Sequence, residues 1–151
     1  MAQRAIILGD LTQPTEVQKL REYLIELYGY ASLRPLFAAV KTTDATVTTL
    51  STIPLEDNRT YQVVADVVAR RTGGASGTSG DGASYRILGT FRRVAAGAAT
   101  AIGSLTVVHS AESQGGWDCT LTVSGNDVLI RVTGAVNNNV IWAGVVTLQH
   151  V

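Results

Sequence analysis

The sequence predicts a mainly β protein: an antiparallel β-sandwich or jelly-roll-like domain over residues 41–151, preceded at residues 1–40 by a short N-terminal arm, one α-helix and a packed connector. Three observations predict it. Apolar residues recur at every second position over most of the chain after residue 41. The alternating runs are separated by glycine, asparagine and proline turns. No helical period intervenes between them, which is the pattern of antiparallel strands rather than of βαβ units.

Composition agrees. The chain has 151 residues, 46% hydrophobic and 16% charged, with 12 basic side chains balancing 12 acidic ones. One domain of this size removes about two-thirds of the unfolded surface from water, so a real core can form. Zero formal charge excludes the long-range field expected of a nucleic-acid or anionic-membrane binder. A single cysteine excludes an internal disulfide. No run reaches the roughly 18 apolar residues needed to cross a bilayer, and the patch from Ala5 to Leu8 is too short for a signal peptide. The expectation is a soluble protein without cofactor, nucleic-acid partner or membrane partner.

Ahead of the β-region, Ile6, Ile7 and Leu8 form a short apolar arm that needs a partner to order it. Residues 12–29 read as a helix, because Val17, Leu20, Leu24 and Leu27 recur at three and four while charged residues fill the other faces. Pro14, the pair Thr15 with Gln18, and Gly29 supply its start and stop. The narrow stripe packs on the domain's own sheet or, as heptad a and d positions, in a short parallel bundle between copies. Residues 30–40 carry Leu33, Pro35, Leu36 and Phe37, too apolar for a free linker.

From residue 41 the period is two. Residues 45–53 are threonine-rich and end at Pro54, which opens a turn. In residues 60–71, Tyr61, Val63, Ala65, Val67 and Ala69 alternate with Gln62, Val64, Asp66, Val68 and Arg70. Valine on both faces predicts a strand covered on both sides, inside a sandwich or at a subunit contact. Residues 84–94 and 102–108 give two further strands. Trp117 to Gly134 forms the most regular hairpin, turning at Gly125, Asn126 and Asp127. Residues 140–151 close the domain, for six or seven strands in all.

Catalysis needs convergent polar groups, and the sequence offers few. The glycine-rich stretch of residues 72–82 lacks the lysine of a phosphate loop and precedes a strand, so it reads as a flexible connection or a contact loop. His109 and His150 have no cysteine or carboxylate at ligand spacing. Cys119 shares a face with Trp117 and Leu121, the setting of a small core residue. Asp66, Asp81, Glu112, Asp118 and Asp127 stand apart in sequence. Arg70, Arg71, Arg86, Arg92 and Arg93 gather on two strands flanking the glycine stretch. They fit either an anionic ligand, such as a carbohydrate acid or phosphate, or ion pairs with Asp66, Glu112 or Asp118 and intersubunit contacts.

Four blocks then carry a resemblance: Ala69-Arg70-Arg71-Thr72-Gly73-Gly74, Gly80-Asp81-Gly82-Ala83-Ser84-Tyr85, Gly116-Trp117-Asp118-Cys119-Thr120-Leu121, and the run from Val132 through Asn137-Asn138-Asn139 to Trp142. Together they resemble a β-domain found at the ends of structural proteins of tailed bacteriophages. The resemblance implies a non-enzymatic virion component, homotrimeric, made in the host cytoplasm and displayed on the capsid or tail exterior. It supplies no catalytic, cofactor or metal residue. Two placements follow. The first is a capsid cement or decoration protein gripping the major capsid protein, favoured because 151 residues hold no long shaft. The second is a tail fibre or spike tip, or short head fibre, that binds a host surface glycan. In either, the expected oligomer and attachment contacts are Ile6, Ile7, Leu8, Val17, Leu20, Leu24, Leu27, Arg70, Arg71, Arg92 and Arg93. A third reading, a depolymerase or esterase, lacks the constellation of groups it would need.

Overall fold

The computed structural model describes residues 36–151. The arm and helix, with Ile6, Ile7, Leu8, Val17, Leu20, Leu24 and Leu27, lie outside the described residues. Eight strands follow: β1 (Leu36–Thr42), β2 (Thr48–Pro54), β3 (Arg59–Gly73), β4 (Gly82–Arg93), β5 (Ala99–Glu112), β6 (Asp118–Ser124), β7 (Asp127–Thr133) and β8 (Asn139–His150). They form a five-stranded sheet, ordered β1-β8-β3-β4-β5, and a three-stranded sheet, ordered β2-β7-β6, with every pairing antiparallel.

The two sheets share one core. From the larger sheet, Tyr61, Val63, Val67, Tyr85, Ile87, Phe91, Val140, Trp142 and Val146 point inward, and from the smaller one Ile53, Leu121, Val128, Ile130 and Val132 meet them. Alternation in sequence becomes alternation of face, the basis of a sandwich. Two tryptophans anchor one end: Trp142 lies against Trp117 at 5.8 Å and against Tyr85 at 6.3 Å, and its Nε1 donates to Thr42 Oγ1 at 2.9 Å in the buried interior. The tight β6–β7 hairpin turns through Gly125 and Asn126. Gly125 takes φ 58, the left-handed value such two-residue turns reserve for glycine.

Three expectations change. Residues 36–40, assigned to a connector, are most of β1, which pairs with β8 from Leu36↔Val146 to Thr42↔Val140. Leu36, Ala38 and Val40 face inward, but small side chains give a weak strand signal until a neighbour fixes them. The second change concerns β3. Its inner row is buried, whereas Val68 on the outer row is 58% exposed, so of the two covers the sequence allowed, burial inside the sandwich does not extend to Val68 among the described residues. Third, β5 runs 14 residues rather than the seven of 102–108, because two register shifts against β4 and a left-handed Gly103 break its alternation.

Turn contacts tie the sandwich at the end away from the tryptophans. Arg93 Nη1 donates to Leu55 O at 2.7 Å, its Nε to Gly97 O at 3.0 Å, and its Nη2 pairs with Asp57 at 2.9 Å. This guanidinium is mostly enclosed and serves two carbonyls. Arg93→Ala is therefore expected to lower unfolding free energy by about 2 kcal/mol in urea denaturation, while Arg92→Ala, an exposed neighbour, changes it by less than about 0.5 kcal/mol.

Candidate functional site

The five predicted arginines do not form one cluster. In the antiparallel β3–β4 ladder Arg70 sits opposite Gly82, whereas Arg92 and Arg93 sit opposite Thr60 and Arg59. Some eleven residues of strand, roughly 36 Å, separate the two groups. Nearness in sequence across a hairpin becomes distance along it. Four of the five have local work, Arg93 in the turn contacts described above. Arg71 donates from Nε to Ser76 O at 2.8 Å and from Nη2 to Gly74 O at 2.7 Å. Arg92 reaches Thr100 Oγ1 at 3.4 Å, and Arg86 pairs with Asp66 at 3.4 Å, one of the cross-strand pairs the sequence allowed.

The glycine stretch is built rather than slack. Besides Arg71, Ser76 N donates to Asn137 O at 2.9 Å, Thr78 N to Asp81 Oδ2 at 2.6 Å, and Gln114 Nε2 to the same oxygen at 2.7 Å. Thus the blocks at 69–74, 80–85 and 132–142 fold against one another, while the block at 116–121 reaches them through the Trp117–Trp142 contact.

The groove that stands out lies on the outer face of the five-stranded sheet. It has a volume of about 760 Å³, and its lining includes Phe37, Ala39, Asp66, Val68, Ser84, Arg86, His109, Ala143 and Val145. Strand register explains its shape. One cross-strand row reads Phe37, Val145, Asp66, Arg86, His109, and the next reads Ala39, Ala143, Val68, Ser84. Cross-strand partners share a face, so the first row is a rail of larger and polar groups beside a floor of small ones. Four strand spacings make it roughly 19 Å long. Phe37 is 77% exposed, an unusual cost for a phenyl ring unless something stacks on it.

Ser84 Oγ and His109 Nε2 are 2.9 Å apart in this groove. A serine–histidine contact is half of a nucleophile–base pair. No carboxylate is hydrogen-bonded to His109 among the described residues, and β4, flanked by β3 and β5, commits its N–H groups to the ladders rather than to an oxyanion. The pair therefore offers donors and acceptors to a bound hydroxyl-rich ligand. Asp66 is the carboxylate lining the groove.

Elsewhere the titratable groups are structural. Tyr85 donates to Glu112 Oε2 at 2.6 Å, and burial first, then the Glu112 carboxylate, hold its phenol protonated. Cys119 is buried, and burial followed by the nearby Asp118 charge pushes its thiol up to about 12, which makes it a poor nucleophile. His150 lies against Tyr61 at 5.2 Å and 3.0 Å from Arg59 Nη1. Among the described residues no three of His, Cys, Asp and Glu converge as metal ligands.

Sequence reasoning allowed a cross-strand pair of Arg86 with Asp66 and named His109 alone, but missed the row they share, and missed Phe37 as a surface group. The row exists only through the β1–β8 pairing and the register step in β5 that places His109 opposite Arg86.

No protein-family model matches the chain, and no curated protein matches its sequence. Among solved structures the chain is similar to the tailspike protein of Acinetobacter baumannii phage AM24, with a TM-score of 0.47 and 12% identity over 76% of this chain and 26% of that one. It is also similar to the tailspike of Acinetobacter phage vB_ApiP_P1, with a TM-score of 0.40 and 15% identity over 99% of this chain and 26% of that one. A third is tailspike gp49 of Acinetobacter baumannii bacteriophage Fri1, a capsular polysaccharide depolymerase, with a TM-score of 0.35 and 11% identity over 85% and 23%. The chain spans about a quarter of the length of these tailspikes.

Proposed function

We propose that this chain is a non-enzymatic host-contact module of a phage virion, part of a tail spike or fibre, and that it binds a bacterial surface glycan along the outer face of its five-stranded sheet. The observation that supports this reading is the groove: an exposed phenyl ring at one end, Asp66, Arg86 and His109 along the rail, and a floor of alanine and valine that ends in Ser84. Sugar rings present an apolar face and a belt of hydroxyls, so they need an aromatic platform beside groups that both donate and accept. The phage setting comes from the four sequence blocks.

Between the two virion placements, the groove favours host contact over capsid cement. Gripping a shell calls for broad apolar area, whereas this rail is polar and rests on small side chains. Binding without cleavage fits as well, since glycoside hydrolysis commonly uses two carboxylates flanking the bond and Asp66 is engaged by Arg86. Several copies on one virion would sum modest affinities into firm attachment.

The test is binding of the full chain to a panel of bacterial capsular and O-antigen polysaccharides. Phe37→Ala and Asp66→Ala are each expected to weaken binding about tenfold, near 1.4 kcal/mol, while leaving the melting temperature unchanged. The bound polysaccharide keeps its chain length after prolonged incubation. Undiminished binding by both variants would reject the groove, and shortening of the polysaccharide would reject the non-enzymatic reading.

A further inference from the structure

Past the groove floor, the outer face of the five-stranded sheet carries one more cross-strand row. Lys41 pairs with Ile141 and Ile141 with Arg70, one step along the strands from Ala39, Ala143 and Val68. All three side chains are exposed. The floor therefore runs between two walls: the rail that holds Asp66 and Arg86, and this second row, four residues of strand or roughly 13 Å away. Lys41 and Arg70 stand on either side of β8, two strand spacings or roughly 10 Å apart.

Neither cation is neutralised. The ion pairs among the described residues join Arg59 to Glu56, Arg86 to Asp66 and Arg93 to Asp57, and neither Lys41 nor Arg70 has a side-chain hydrogen bond there. Arg71, next in sequence, contrasts with them, since it spends its guanidinium on two loop carbonyls. The whole outer face is biased the same way. Its strands present Lys41, Arg70, Arg86 and Arg92 against the single carboxylate of Asp66, on a chain whose formal charge is zero. With Arg86 occupied by Asp66, the rail is close to neutral, and the second wall sets the field over the groove.

We propose that the groove takes an anionic polysaccharide, laid along the floor with its acidic groups toward Lys41 and Arg70 while a sugar ring stacks on Phe37. This rests on the glycan reading above and adds the ligand's charge and orientation to it. Charge complementarity selects the class. A neutral chain leaves both cations unused, and a cationic one is repelled by them. Arg70 offers a planar fork that matches an oxyanion, and Lys41 a point charge on a flexible stem, so the wall suits singly charged groups spaced along a polymer, whether carboxylates or phosphodiesters. Two cations held roughly 10 Å apart do not converge on one small ion.

The experiment measures binding of the full chain to the bacterial polysaccharides of the panel that it retains. Each polymer charged by carboxylates is also tested after chemical reduction of those groups to alcohols; polymers charged only by phosphodiesters, which reduction leaves intact, distinguish the second source. Reduction of the carboxylates is expected to weaken binding about tenfold. Lys41→Gln with Arg70→Gln is expected to weaken binding of either charged kind about tenfold at low salt, by less as salt rises, and to leave binding of the reduced polymer unchanged. Lys41→Arg with Arg70→Lys keeps the charge and is expected to keep the affinity. Arg92→Gln, on the same face but six residues along β4 from Arg86, roughly 20 Å, is expected to change nothing. Retention of neutral polymers only, equal affinity for charged and reduced forms, or a double glutamine variant that binds like the natural chain overturns the proposal. If Phe37→Ala still weakens binding in those cases, the glycan reading stands without it; a chain that retains no polysaccharide removes both.

Discussion

Trp142→Ala is expected to lower the unfolding free energy by about 4 kcal/mol and the melting temperature by roughly 10 to 20 °C, the largest effect of any single truncation in the domain. Trp142 is fully buried on β8, which lies between β1 and β3 in the larger sheet. Its ring touches Trp117 and Tyr85, and its indole N–H is donated to Thr42 on β1. Truncation removes three things together: the apolar volume, two aromatic contacts, and the donor that satisfies a buried hydroxyl. Trp142→Phe keeps most of the volume and loses the donor, so its expected cost is smaller, about 1 to 2 kcal/mol. Denaturant titration of both variants separates packing from hydrogen bonding. Equal losses would mean that the hydrogen bond, rather than the ring, dominates.

Gly74→Ala is expected to cost roughly 2 to 4 kcal/mol, although the residue sits in an exposed loop where substitutions are usually neutral. Gly74 has φ +97, and a Cβ there would lie 2.2 Å from Asn137 O. The backbone of residues 137 and 138 would have to move, breaking the Ser76–Asn137 hydrogen bond and disturbing the carbonyl that Arg71 holds. Gly80 provides the comparison. It has nearly the same φ, +96, but open space around it, so Gly80→Ala should cost only the conformational penalty of about 1 kcal/mol. A thermal melt of the pair distinguishes a steric lock from simple backbone strain. Equal shifts would show that the loop does not depend on the 137–138 turn.

Much of this fold is legible in the sequence, for a stated reason. Strands β3, β4, β6, β7 and β8 fall within a few residues of the alternating runs, because each buries one face and exposes the other. β1 escaped because Ala38 and Ala39 carry little periodic signal and the strand is defined by its pairing with β8. β5 was read over residues 102–108 alone, half of its length, because after Ala99 its side chains are exposed and two register shifts break the alternation a pattern would record. The groove was the least legible feature. Phe37, Asp66, Arg86 and His109 come from four strands, and only register aligns them. The arginines illustrate the converse error, since residues close on either side of a loop were read as one patch when the hairpin carries them to opposite ends.

The central claim is that recognition happens on the outer face of the five-stranded sheet. The most direct measurement is a titration of the isotopically labelled chain with oligosaccharides from a bacterial surface polysaccharide that it binds, following backbone amide shifts. The account predicts that the largest shifts fall on residues 37, 66, 84, 86, 109 and 145, in fast or intermediate exchange and with no change in the sugar signals that would mark cleavage. Shifts confined to residues 72–82 and 137–139 would place binding on the loops at the end of the sandwich and contradict it.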